Sequence, residues 1–284
     1  MTDPADSPLA FRRTGERGPP LVLLHGFAGN QSTWRFWVPD LSRDHQVFAL
    51  DLKGFGDSPK PRDGRYSPHD HAALLDAWLD WAGLERITLV GHSLGGGVAL
   101  LSALQQERSA RRVERLVIVA GPAFPQPLPR FISLARVPLL GRVALGLLSP
   151  ERVIRMALSS IVFDPAAVDE VWVHNYAEPL GRRGGRYGLL TSARQILPPD
   201  LDALTDRYPA MTLPTLLLWG RQDIVVPLSI GQRLSRTLPD AELVVLDRCG
   251  HVVPEERPRA SLAAMRQWLS RHPLPATPPL RSPR

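Results

Sequence analysis

Six short stretches of this chain are nearly continuous in apolar residues, and each ends at a glycine, an aspartate or a His-Gly pair. They are Leu21 to Leu24 before His25-Gly26, Gln46 to Leu50 before Asp51, Ile87 to Val90 before Gly91, Leu116 to Ala120 before Gly121, Thr215 to Trp219 before Gly220, and Leu243 to Leu246 before Asp247. A strand with one wet face alternates apolar and polar residues. An unbroken run indicates a strand covered on both faces, as in a parallel sheet. Between the runs lie segments with helical spacing. His69 to Trp81 places Ala73, Leu74, Ala77, Trp78 and Trp81 on one side, and Leu94 to Gln106, Leu228 to Leu238 and Glu255 to Leu269 read similarly. Buried strands alternating with helices predict an α/β fold with helices on both faces of the sheet.

The rhythm breaks between Gly121 and about Leu213, where no buried strand is legible. Phe131 to Leu148 and Pro150 to Ile161 read as helices, and Gly181 to Gly188 as a loop of glycine and arginine. Because the strand pattern resumes at Thr215, the sequence predicts a helical insertion over 122–212. The core then comprises 1–121 and 213–272, followed by a frayed proline-rich tail over 273–284.

A chain of 284 residues buries about three quarters of its unfolded surface and needs no covalent staple. Cys249 is the only cysteine, so a disulfide framework is excluded. The net charge is +6, carried almost wholly by arginine, since Lys53 and Lys60 are the only lysines. The arginines are scattered among acids, without the clustered stripe of a nucleic-acid surface, so no nucleic-acid partner is expected. The first twenty residues lack a basic start followed by an apolar core, so they do not read as a signal peptide. No apolar run reaches the ~18 residues of a membrane span. A cytoplasmic protein without an integral membrane segment is expected.

The chemistry concentrates at Gly91-His92-Ser93-Leu94-Gly95, between the run ending at Val90 and the helix beginning near Leu94. A serine in such a strand-to-helix turn takes a strained backbone conformation, and its neighbours two residues away must be small. Gly91 and Gly95 meet that need. Its hydroxyl projects beyond the sheet at a helix N-terminus, where free N–H groups favour negative charge. A serine needs a base to take its proton. His45, His69, His71 and His272 read as solvated, His174 lies in the insertion, and His92 points away from Ser93 as its chain neighbour. His251, in the loop after Leu243 to Leu246, is where an open sheet meets its ligands. Asp223, after the strand ending at Trp219, supplies the carboxylate, with Asp247 as the alternative. Ser93, Asp223 and His251 then follow in the order Ser, Asp, His. The oxyanion hole is assigned to the amides of Leu94 and Phe27, with Gly26 permitting the turn and His25 bracing it. Asp51 to Ser58 reads as a structural glycine-rich loop.

On His25-Gly26-Phe27, Asp51 to Ser58, Gly91 to Gly97, Gly220 to Asp223 and Gly250-His251, the chain resembles the α/β-hydrolase superfamily in its single-chain form with a helical cap. The resemblance spans about Leu21 to Leu269. It implies an eight-stranded, mostly parallel sheet with the cap inserted after the sixth strand. Relatives that open halides or epoxides use aspartate where this chain has Ser93. Serine implies acyl transfer to water, from an ester, thioester or lactone of a small to medium apolar acid, with no cofactor and no metal. Phe124, Phe131, Trp172 and Tyr176 are expected to line the pocket. Two alternatives stay open. One is a carbon–carbon bond hydrolase of the meta-cleavage type, with Arg186 or Arg194 meeting its substrate. The other is a hydrolase-fold protein that binds a small ligand without turnover.

Overall fold

A computed structural model describes residues 6–106, 112–137, 141 and 146–274. Its strands are β1 (Phe11–Thr14), β2 (Pro20–Leu24), β3 (Gln46–Leu50), β4 (Ile87–His92), β5 (Val113–Val119), β6 (Thr215–Gly220) and β7 (Ala241–Leu246). They form one sheet in the order β1-β3-β2-β4-β5-β6-β7. β1 pairs antiparallel with β3, and every other pairing is parallel.

Adjacent residues on a strand face opposite ways, and here both directions are buried. Val22, Leu24, Phe48, Leu50, Leu116, Ile118, Leu217 and Trp219 enter one core. Leu21, Leu23, Val47, Ala49, Val117, Val119, Leu216 and Leu218 enter the other. The helices, in chain order, are α1 (Val38–Leu41), α2 (Pro68–Ala82), α3 (Leu94–Gln106), α4 (Arg130–Arg136), α5 (Pro150–Ile161), α6 (Glu170–Gly181), α7 (Gly185–Gln195), α8 (Leu201–Thr205), α9 (Leu228–Thr237), α10 (Val253–Glu256) and α11 (Pro258–Arg271). Residues of α2, α3 and α9 fill the first core, and residues of α11 with Trp34, Trp37 and Leu41 fill the second. Helices α4 to α8 lie in the chain between β5 and β6.

Several expectations need correction. Among the described residues the sheet has seven strands, not eight, and the inserted helices follow the fifth. Ahead of β1 the chain is tied down as a loop: Ser7 Oγ donates to the Leu9 carbonyl, and Ala10 N donates to Ser58 Oγ at 2.8 Å. β1 itself, Phe-Arg-Arg-Thr, escapes an apolar-run search because an edge strand has one neighbour and partly wet side chains. β7, the other edge, is only half-buried along its length. The helix read over Glu255 to Leu269 is broken at Arg257, since the residue before Pro258 is pushed away from helical geometry. The loop read over Gly181 to Gly188 contains the start of α7, with Gly184 in the left-handed region at φ +88. Parts of the helix read over Phe131 to Leu148 (138–140 and 142–145), and the tail from 275 onward, lie outside the described residues. No helix among the described residues is long and apolar enough to cross a membrane.

The apolar face of α2 is also rotated from the one read in the sequence. Its buried residues are Pro68, His71, Ala72, Leu75, Trp78, Leu79 and Ala82, while Ala73 and Ala77 are exposed. His71 is therefore not solvated: it is 1% exposed, and neither ring nitrogen has a hydrogen-bond partner. Burial pushes its pKa down to about 4, with the nearby His25 acting in the same direction. The folded state holds this ring neutral, whereas an unfolded histidine takes a proton near pH 6.5. The unfolded chain thus binds the extra proton between those values, and stability is lost as the pH falls through that window. Replacing the ring by leucine should remove this share. Urea unfolding at pH 7 and pH 5 is expected to show His71→Leu losing about 2 kcal/mol less than the parent over that interval. An unchanged pH slope would mean that the ring is charged when folded.

Candidate active site

Strand β4 hands over to α3 through a single residue, Ser93, held at φ +51. The turn is closed from both sides. A Cβ on Gly91 would lie 2.2 Å from the Gly95 carbonyl oxygen, and one on Gly95 would lie 2.4 Å from the Leu24 carbonyl oxygen. The Ser93 N–H donates to the Val119 carbonyl at 2.9 Å, tying the turn to β5.

The loop after β2 packs directly on this turn. A Cβ on Gly26 would lie 2.9 Å from Ser93 Cβ and 3.0 Å from His92 Nδ1. His25 braces the loop from within the core. Its Nε2 accepts from the Leu52 N–H at 2.9 Å, so its Nδ1–H is the donor to the Gly26 carbonyl at 2.7 Å. Burial lowers the His25 pKa against the pull of Asp51, which keeps this tautomer neutral. Asp51 is structural too: it is fully buried and accepts from the N–H groups of Gln31 at 2.7 Å and Asp57 at 2.8 Å.

Ser93, His251 and Asp223 come together from three strand ends. Ser93 Oγ lies 2.8 Å from His251 Nε2, and His251 Nδ1 lies 2.9 Å from Asp223 Oδ2. The other carboxylate oxygen accepts from the N–H groups of Val225 at 2.8 Å and Val226 at 2.9 Å. With Asp223 taking the Nδ1–H, the Nε2 lone pair faces the serine hydroxyl. That arrangement can draw the serine proton onto the ring. Asp247 does not compete: it is exposed and paired with Arg221.

Three supports of His251 were not legible in sequence. Glu256 accepts from the Gly250 N–H at 2.9 Å and the Val252 N–H at 2.8 Å, one on each side of the histidine. The carbonyl of Ile161, at the end of α5, accepts the His251 N–H at 2.9 Å. His92 Nε2 donates to the His251 carbonyl at 2.9 Å. Burial and the neighbouring His251 push the His92 pKa down to about 3, so it stays a neutral donor. The supports share one cause: they bond to backbone atoms, and backbone partners leave no residue-type pattern to search for.

A cleft with an empty volume of about 860 Å³, counted out to solvent, opens beside Ser93. Phe27, Leu94, Gly97, Leu101, Phe124, Ile132, Tyr208 and Val226 are among its walls, and none of its described lining residues is charged. Of the expected pocket residues only Phe124 is in this wall. Phe131 is half-buried, and its neighbour Ile132 takes the lining position, a third of a helical turn away. Trp172 and Tyr176 face the core loops instead. The Tyr176 hydroxyl meets Thr33 Oγ1 at 2.7 Å and donates to Glu255, and Arg35 lies over the Trp172 ring. Arg186 and Arg194 are exposed and do not line the cleft. Among the described residues no cluster of His, Cys, Asp and Glu is placed to hold a metal ion.

A family model described as the alpha/beta hydrolase family matches residues 21–265. The chain is similar to an uncharacterized hydrolase, YugF, of Bacillus subtilis, with 32% identity over 84% of this chain and 85% of that one. It is also similar to a 2-hydroxymuconate semialdehyde hydrolase of a Pseudomonas species, with 30% identity over 82% of this chain and 81% of that one. Among solved structures, an alpha/beta hydrolase fold protein from Burkholderia ambifaria matches at a TM-score of 0.80, with 28% identity, covering 90% of this chain and 93% of that one.

The Glu256 contacts generate a test. Glu256→Ala frees the backbone on both sides of His251, and displacements near 1 Å at a reacting pair cost about a hundredfold. The rate of phosphonylation of Ser93 by a fluorophosphonate is expected to fall by about ten- to a hundredfold, with Glu256→Gln in between. Equal rates in all three proteins would show that the histidine loop holds itself.

Proposed function

The chain belongs to the alpha/beta hydrolase family, and we propose that within it this protein is a serine hydrolase of uncharged carboxylic esters, with thioesters and lactones of the same shape as related substrates. The observation that carries the reading is the Ser93–His251–Asp223 chain, with contacts of 2.8 and 2.9 Å, opening on a cleft with no charged residue among its described walls.

In this reading Ser93 Oγ attacks the ester carbonyl while His251 Nε2 takes its proton. Asp223 holds the ring by Nδ1–H and stabilises the imidazolium. The carbonyl oxygen becomes an oxyanion facing the amides of Leu94 and Phe27, each worth about 3 kcal/mol in the transition state. His251 then passes its proton to the leaving alcohol. Water, deprotonated in turn by His251, releases the acid from Ser93. The helices of 122–212 act as a cap, which shapes the acyl site through residues such as Phe124 and Ile132.

The carbon–carbon hydrolase reading is supported by the relative that acts on 2-hydroxymuconate semialdehyde. That substrate carries a carboxylate, and an unpaired buried charge is costly. A cleft whose described walls are neutral therefore favours the ester. The binding-only reading keeps the same geometry and differs in turnover alone.

Two measurements test the proposal. A fluorophosphonate should label the wild-type protein, and Ser93→Ala should abolish labelling. Labelling that persists in that variant would move the nucleophile elsewhere. With p-nitrophenyl esters, Asp223→Asn should lower kcat by about 10⁴-fold, because the imidazole is no longer held in the useful tautomer. Release of p-nitrophenol no faster than in buffer would favour the binding-only reading.

A further inference from the structure

The cleft has a direction. Leu94, Gly97, Leu101 and Leu104 all line it, at spacings of three and four residues on α3. Such spacing keeps side chains on one face of a helix. The cleft therefore runs along α3, starting beside Ser93 at its N-terminus. From Leu94 to Leu104 the rise is about 15 Å. Leu201, Leu204 and Tyr208 form a further wall of the cleft. Arg207 donates to the Leu104 carbonyl and so fixes this wall to the far end of α3. Gly97 sits in the near part of the floor, where a Cβ would meet Pro122 Cγ at 3.4 Å. Pro122 also lines the cleft, so a larger side chain at Gly97 would crowd the passage between these two residues.

We propose that this face of α3 measures the acyl chain, so that the preferred substrate is an ester of a linear, uncharged acid of about twelve carbons, taking about 1.2 Å per bond of an extended chain. The proposal rests on the ester-hydrolase reading and adds the substrate class to it. The acyl chain, and not the alcohol, occupies the groove, because the acyl group stays on Ser93 while the alcohol leaves and water enters. Gly97, Leu101 and Leu104 then mark successive depths of about four, nine and twelve carbons. The polar atoms of the ester stay at the Ser93 end, next to the α3 N-terminus.

The test is a length series of p-nitrophenyl esters, from acetate to palmitate, with kcat/KM for each chain divided by that for acetate. Wild-type values should climb to about twelve carbons and then fall. Gly97→Leu should move the fall to about four carbons and Leu101→Phe to about nine. Beyond its limit, each should lose about tenfold or more relative to the parent. Leu104→Ala should move the limit outward. The three variants push in two directions, and a thermal melt and fluorophosphonate labelling of each confirm a folded protein. A parallel series of acetate esters with lengthening alcohols should show no such limit. Limits that stay put, move out of helical order, or appear only in the alcohol series would overturn the ruler while the hydrolase reading stands. Wild-type protein that neither takes the fluorophosphonate nor cleaves any ester would overturn both.

Discussion

The turn at Ser93 is the constraint on which the rest of the site depends. A parallel strand must pass into a helix through one residue in the left-handed region, so no side chain fits at Gly91 or Gly95. That closeness lets the loop at Gly26 rest on Ser93 Cβ, and lets the Gly95 N–H reach the His25 carbonyl at 3.1 Å. It also leaves the N–H of Leu94, a residue lining the cleft at the start of α3, with no intrahelical partner. A bulkier residue at either glycine would separate the strand from the helix, and the serine would lose its aim.

The histidine is positioned against this fixed point by contacts from three directions. The end of β6 approaches so closely that a Cβ on Gly220 would lie 2.0 Å from the Gly250 carbonyl oxygen, which brings the Asp223 and His251 loops side by side. Glu256 holds the backbone flanking His251, and the end of α5 accepts its N–H. The helices between β5 and β6 therefore touch the histidine loop as well as the cleft. Part of their attachment is polar and buried, since Tyr176 on α6 joins Thr33 and Glu255, and apolar residues such as Ile154, Leu158 and Val173 pack into the core. Around this centre His25 and His92 are buried bases with lowered pKa, so each offers a definite donor and acceptor while remaining uncharged.

The sequence by itself determined the parallel interior of the sheet, because strands buried on both faces are apolar at most positions. β2 to β6 stand out as runs for that reason, and β1 with its two arginines does not. It also placed Ser93, Asp223 and His251 after three different strands, since such loops converge at one edge of a parallel sheet. Tertiary structure alone decided which helix faces are buried. His71 reads as polar yet sits in the buried stripe of α2, and Phe131 yields its place to Ile132, because a shift of one residue turns a side chain by about 100°. It alone turned Trp172 and Tyr176 toward Thr33 and Glu255. It alone joined Gly97, Leu101 and Leu104 to a wall a hundred residues further along the chain. Local pattern records which residues avoid water; which surfaces meet depends on contacts between segments far apart, and those leave no spacing in the sequence.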